Sequence, residues 1–188
     1  MNPKTMSTRS RIIAGALVAA VAGTVTVGAV SANADQPETP AVAVAAKANT
    51  SDRNVTTVPV LTIDAATKAA EASLAAANKA GQHVSVAVVD RDGVTRVLLK
   101  GDGAGPQSAE SATRKAFTAV SWNAPTSELA KRLAQAPGLK DIPNTLFLAG
   151  GAPVQSKGAP IAAIGVAGAP SGDQDEQFAE AGVATLGG

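Results

Sequence analysis

Apolar residues recur at helical spacing over residues 65–79, where Ala66, Ala69, Ala70, Leu74 and Ala77 form one face; this spacing predicts a helix. Thr62 stands where an N-cap belongs, Asp64 falls in the first turn, and Gly81 supplies the stop. Two β-rich runs, 84–89 and 94–99, then flank Asp90-Arg91-Asp92-Gly93, whose Asp-Gly ending suits a hairpin. The stretch GDGAGP at 101–106 interrupts regular structure, and a helix follows from Gln107 or Ser108 to about Trp122. A further helix is predicted over 127–135, bracketed by Pro125 and Pro137. Residues 145–148 are expected as a strand and Gly150-Gly151 as a turn. Val154 and 160–166 should form a closing hairpin around Ser156-Lys157-Gly158. Because 161–166 is almost continuously apolar, that strand should be covered on both faces, or on one of them by a partner subunit. A last helix over 173–186 carries Asp173, Asp175 and Glu176 in its first turn, where they favour the positive end of the helix dipole. The pattern is that of the α+β class: a mainly antiparallel sheet of about five strands with helices packed mostly on one side.

Ahead of this pattern the chain changes character. Residues 1–34 have the form of a secretory signal: Lys4, Arg9 and Arg11, an apolar run over 12–30, and the small-residue site Ala32-Asn33-Ala34. A membrane anchor is the rival reading, diluted by Gly15, Gly23, Thr24, Thr26 and Gly28. Cleavage would start the secreted chain at Asp35. Residues 35–59 show no sustained period and are expected to be a flexible arm, leaving 60–188 as one domain.

Loss of the leader removes three basic residues and no acidic ones, so 13 basic residues face 15 acidic and the formal charge becomes −2. No basic footprint for nucleic acid remains. With no cysteine and few aromatics, stability must come from close packing of Val, Ile, Leu and Ala. Chemistry-bearing residues are few: Met1 and Met6 both lie in the leader, tyrosine is absent, and His83 is the single histidine. There is no Ser-His-Asp set, and GDGAG lacks the Lys-Ser/Thr ending of a phosphate-cradling loop, which argues against a hydrolase or kinase. Asp173, Asp175, Glu176 and Glu180 form the densest carboxylate group, and Asp173 with Glu176 can share a helix face. Carboxylates suit hard cations, so this pair offers a surface iron site; simple helix-start electrostatics is the plainer reading. Asp90 and Asp92 fit turn chemistry.

Three segments, VSVAVVDRDGVTRVLLKGDGA at 84–104, SAESATRKAFTAVS at 108–121 and GGAPVQSKGAPIAAIGVAGAPSGDQDEQFAEAG at 150–182, resemble the GlcG/HbpS-like haem-binding family in content and order. The resemblance implies a small haem-binding protein that forms a homo-oligomer, commonly an octamer. Some secreted members act beside a membrane sensor kinase in responses to haem and peroxide stress, and the predicted signal favours that secreted kind. Cytoplasmic relatives sit near glycolate or diol metabolism. A cofactor-free assembly module and a glycolate-linked enzyme are the alternatives.

The usual axial ligands of haem iron are His, Cys, Met or Tyr, and only His83 remains after the leader. Either His83 ligates, or iron is held weakly by an oxygen or amine from Thr113 or Lys115. The small residues around Thr113 would let a flat porphyrin approach its helix, which ranks Thr113 above His83. Each also has a plain structural reading, as a packed helix threonine and a solvated loop histidine. Arg114 and Lys115 point about 100° apart, so one of them, Arg114 by its planar geometry, would meet a haem propionate. Phe117 and Phe147 would wall an apolar pocket or simply join the core. Any turnover would be weak, haem-dependent redox chemistry, and free iron is a second cofactor candidate.

Overall fold

The computed structural model describes residues 49–187. The predicted export signal at 1–34 and most of the arm at 35–59 lie outside the described residues; 49–59 contains a 3-10 turn at Asp52–Asn54.

Helix α1, Ile63–Lys79, begins where expected, with the Thr62 hydroxyl oxygen accepting the Ala65 amide. Its end is a Schellman arrangement: Gly81 N–H donates to Asn78 and Gln82 N–H to Ala77, with Gly81 at φ +69°. Strands β1, Ser85–Asp90, and β2, Thr95–Lys100, form the predicted hairpin. Asp90 organises the turn, its Oδ1 accepting the amides of Asp92 and Val94 while Oδ2 faces Arg96 at 3.5 Å. Helices α2, Ser108–Trp122, and α3, Thr126–Arg132, follow, then strands β3, Gly151–Ser156, and β4, Ala159–Ala167, and helix α4, Gly172–Ala184.

All pairings are antiparallel and the strand order is β2-β1-β4-β3. The class is the one expected from the sequence; two details differ. The sheet has four strands because residues 145–148 do not pair. Two of their backbone groups bond instead to side chains of α2: Arg114 Nη2 donates to the Thr145 carbonyl, and the Leu146 amide donates to Thr118 Oγ1, both at 2.8 Å. The helices also flank both faces rather than gathering mostly on one. Alternation along β1 and β4 sends Val86, Val88, Ala162, Ile164 and Val166 to α1 and α4, and Ala87, Val89, Ala163 and Ala167 to α2. Strand β4 is therefore covered on both faces within the chain, the first of the two arrangements its apolar run allowed.

Helix α2 lies unusually close to the sheet. A Cβ on Gly165 would overlap the Ala112 carbonyl oxygen and stand 2.6 Å from the Ala116 amide nitrogen, so only glycine fits there. Trp122 and Phe147 meet edge to face at 5.2 Å in a satellite core with Ala124 and Leu129, which makes Phe147 a packing residue.

Candidate functional site

Helix α2 packs on the sheet through Ala112, Ala116 and Ala119. Residues displaced around it, Ala109, Thr113 and Phe117 on one row and Glu110 and Arg114 on the next, lie along its flank. There they line a groove of about 420 Å³ with Leu98 of β2, Gly93 of the hairpin turn and Asn144. Three of the residues selected from the sequence, Thr113, Arg114 and Phe117, thus share one wall.

The Phe117 ring runs beneath Gly93, where an added Cβ would come within 2.8 Å of it. Leu98 supplies an exposed apolar surface opposite. The Thr113 hydroxyl donates its proton to the Ala109 carbonyl at 3.0 Å, so its oxygen keeps its lone pairs for a second partner. Arg114 Nη2 is anchored on Thr145, its Nη1 stands 3.6 Å from Glu110, and its Nε is buried without a hydrogen-bond partner.

Lys115 is not in this groove. One residue further round the helix, its ammonium turns inward and is 5 % exposed, donating to Asp175 Oδ2 at 2.8 Å and to the Val166 carbonyl at 3.1 Å. The pair borders a smaller pocket of about 200 Å³ with Gln107, Ser111 and Leu148. Asp175 Oδ1 also accepts the Ala169 amide, closing the turn before α4. Burial outweighs Lys115 and holds the Asp175 carboxyl above its ordinary 3.8. The folded state therefore binds this proton more tightly than the unfolded chain does. The contribution of Asp175 to stability is full below the unfolded value and is lost as pH rises through the raised one. Denaturation curves taken from pH 7 towards pH 4 should show an acid-side gain in stability that Asp175→Asn abolishes; an unchanged slope in the variant would contradict it.

Asp173 and Glu176, three apart on α4, stand in different surroundings. Asp173 is exposed, while Glu176 is 8 % exposed and occupied as an external cap for α3. Its Oε2 accepts the amides of Ser127 and Gly150 at 3.0 and 3.1 Å and the Thr126 hydroxyl, and Oε1 accepts the Ser127 hydroxyl. Helix α3 opens at Pro125 without a side-chain cap of its own, which is why it borrows this carboxylate. An iron ion at Asp173 and Glu176 would have to break that cap. Among the described residues no three His, Asp or Glu side chains surround a common point.

His83 sits before β1, at the opposite end of that strand from Gly93, and does not line the groove. Its Nδ1 lies 2.8 Å from the Asp102 carbonyl oxygen. Because a carbonyl can only accept, Nδ1 carries the proton and Nε2 is left free.

The groove also contains Glu110, Leu98, Gly93 and Asn144, which were not singled out from the sequence. The four-residue spacing of Glu110 and Arg114 was a visible signal for one of them. The others arrive through the tertiary fold.

A single antiparallel sheet between two helical layers, with a groove along the flank of α2, defines the class as an α+β protein with a ligand-sized groove. The family model described as haem degrading protein HbpS-like matches residues 61–184. The chain belongs to the HbpS-like family. A crystal structure of Streptomyces reticuli HbpS, carrying two Glu-to-Asp substitutions, is 70 % identical. It aligns over 77 % of this chain and 99 % of that one, with a TM-score of 0.76. Klebsiella pneumoniae protein ORFY is 27 % identical over 74 % of this chain and 96 % of its own, with a TM-score of 0.65. A PduOC:heme complex is 25 % identical over 69 % and 96 %, with a TM-score of 0.64. No curated protein matches the chain. Among the described residues no helix is long and apolar enough to cross a membrane.

Proposed function

We propose that this protein binds haem in the groove along α2, and that it does so as an exported homo-oligomer, an octamer in the form the family resemblance suggests. The supporting observation is the convergence of Thr113, Arg114 and Phe117 on one groove in a chain of the HbpS-like family. The PduOC:heme complex, a solved structure of the same fold, adds to it. The groove volume falls within the range usual for ligand sites, roughly 300–1,000 Å³.

The donor set fits such a ligand in a particular way. Phe117, Leu98 and Ala109 offer apolar contact to a flat ring, and Arg114 offers a cation to a carboxylate at its edge. Thr113 presents a hydroxyl oxygen whose proton is already committed, which makes it a weak, labile donor to iron. Haem, when bound, supplies redox chemistry of its own; the protein binds and orients it and limits access of water. His83, outside the groove, is not needed for this reading, and neither is a carboxylate iron site at Asp173 and Glu176.

In cellular terms the proposal is a protein that takes up haem outside the cytoplasm and helps sense or blunt haem and peroxide stress through contact with a membrane sensor kinase. The export signal expected from the sequence at 1–34 and the resemblance support this reading.

Titration of the mature protein with hemin should raise a Soret band that saturates at a defined stoichiometry. Thr113→Ala should shift the Soret maximum and speed haem loss, while His83→Ala leaves both unchanged. Uptake without saturation would overturn the haem reading, and a spectrum changed only by His83→Ala would move the site away from α2.

A further inference from the structure

We infer that Glu110 occupies the place of a ligand carboxylate on Arg114, so that the groove selects a flat ligand bearing a free carboxylate and Glu110 sets the strength of that selection. The inference rests on the proposed haem site and specifies its chemistry.

The guanidinium of Arg114 is unevenly satisfied. Nη2 is anchored from behind by the Thr145 carbonyl at 2.8 Å, a bond to backbone that holds the group in place. Nε is buried with no partner. Nη1 faces Glu110 Oε1 at 3.6 Å, beyond hydrogen-bond reach, so it has a counter-charge nearby but no bond. The Glu110 side chain is 78 % exposed and that of Arg114 40 %, which places the contact at the rim of the groove.

These differences decide which carboxylate prevails. A four-apart ion pair at an exposed helix surface is weak, because water screens it and a long side chain must be held still. A carboxylate attached to a ring lying against Phe117 and Leu98 is delivered without that loss, since apolar contact already fixes the ring. Its oxygen can close to true hydrogen-bond distance on Nη1, and a charge-assisted bond there is stronger than the one displaced. Glu110, already largely in solvent, then gives up the contact.

The test compares hemin with hemin dimethyl ester, which has the same ring and iron but no free carboxylate, each titrated into the mature protein. The wild-type protein should bind hemin at least about tenfold more tightly than the ester. Arg114→Gln should remove most of that difference. Glu110→Gln, a change at an exposed side chain, should tighten hemin binding about two- to threefold and leave the ester unaffected. Equal wild-type affinity for both ligands overturns the inference and leaves the haem site standing. Weaker hemin binding in Glu110→Gln also overturns it, because Glu110 would then be supporting the ligand. Failure of both ligands to bind saturably removes the haem reading, and this inference with it.

Discussion

Lys115→Met is expected to lower the free energy of unfolding by about 3–5 kcal/mol in chemical denaturation. The substitution keeps most of the aliphatic stem but removes the ammonium that meets Asp175 at 2.8 Å and the Val166 carbonyl at 3.1 Å. What remains is a carboxylate in a nearly dry site, already disfavoured by burial and now without its counter-charge. The cost is mainly that uncompensated charge, and only secondarily the lost attraction. Pairing the change with Asp175→Asn should therefore recover part of the loss, since asparagine is neutral and still offers an oxygen to the Ala169 amide. A single variant that loses less than about 1 kcal/mol would show that water reaches the pair and that Lys115 is an ordinary surface ion pair.

Gly165→Val should be comparably damaging, costing about 3 kcal/mol or more, and should abolish hemin uptake at the same time. The reason is geometric. A Cβ at Gly165 overlaps the Ala112 carbonyl and crowds the Ala116 amide, both of them backbone groups that cannot turn aside as a side chain would. Helix α2 must rise from the sheet, and Thr113, Arg114 and Phe117 rise with it, away from Leu98 and Gly93. Gly158→Ala is the control. Gly158 has φ +79° with open space around it, so alanine there meets backbone strain alone, about 1 kcal/mol, and leaves the groove intact. Native-like hemin binding by Gly165→Val would mean that the groove does not depend on the close seating of α2.

Neither residue lines the groove itself. Lys115 and Gly165 serve the same end on the inward side of α2, one tying its middle to the start of α4 and the other admitting it to the sheet surface. The groove is therefore a by-product of packing. Its residues are adjacent because a helix with Ala112, Ala116 and Ala119 on one side can lie flat against Ala87, Ala163 and Gly165.

Much of this order is legible in the linear chain wherever the information is local. The Thr62 cap, the Gly81 stop, the Asp90-to-Gly93 turn and the apolar run in β4 each involve residues within a few positions of one another, so spacing and residue type suffice to place them. Spacing on α2 likewise brought Thr113 and Phe117 to one flank and turned Lys115 away from Arg114. Only the tertiary structure decided where these faces point. Lys115 finds Asp175 sixty residues on, Glu176 caps a helix fifty residues before it, and Thr145 and Leu146 each give a backbone group to a side chain of α2 in place of a neighbouring strand. Such partners are selected by the burial of unpaired donors and acceptors, which must find one another wherever the chain brings them together, and periodicity carries no record of that choice.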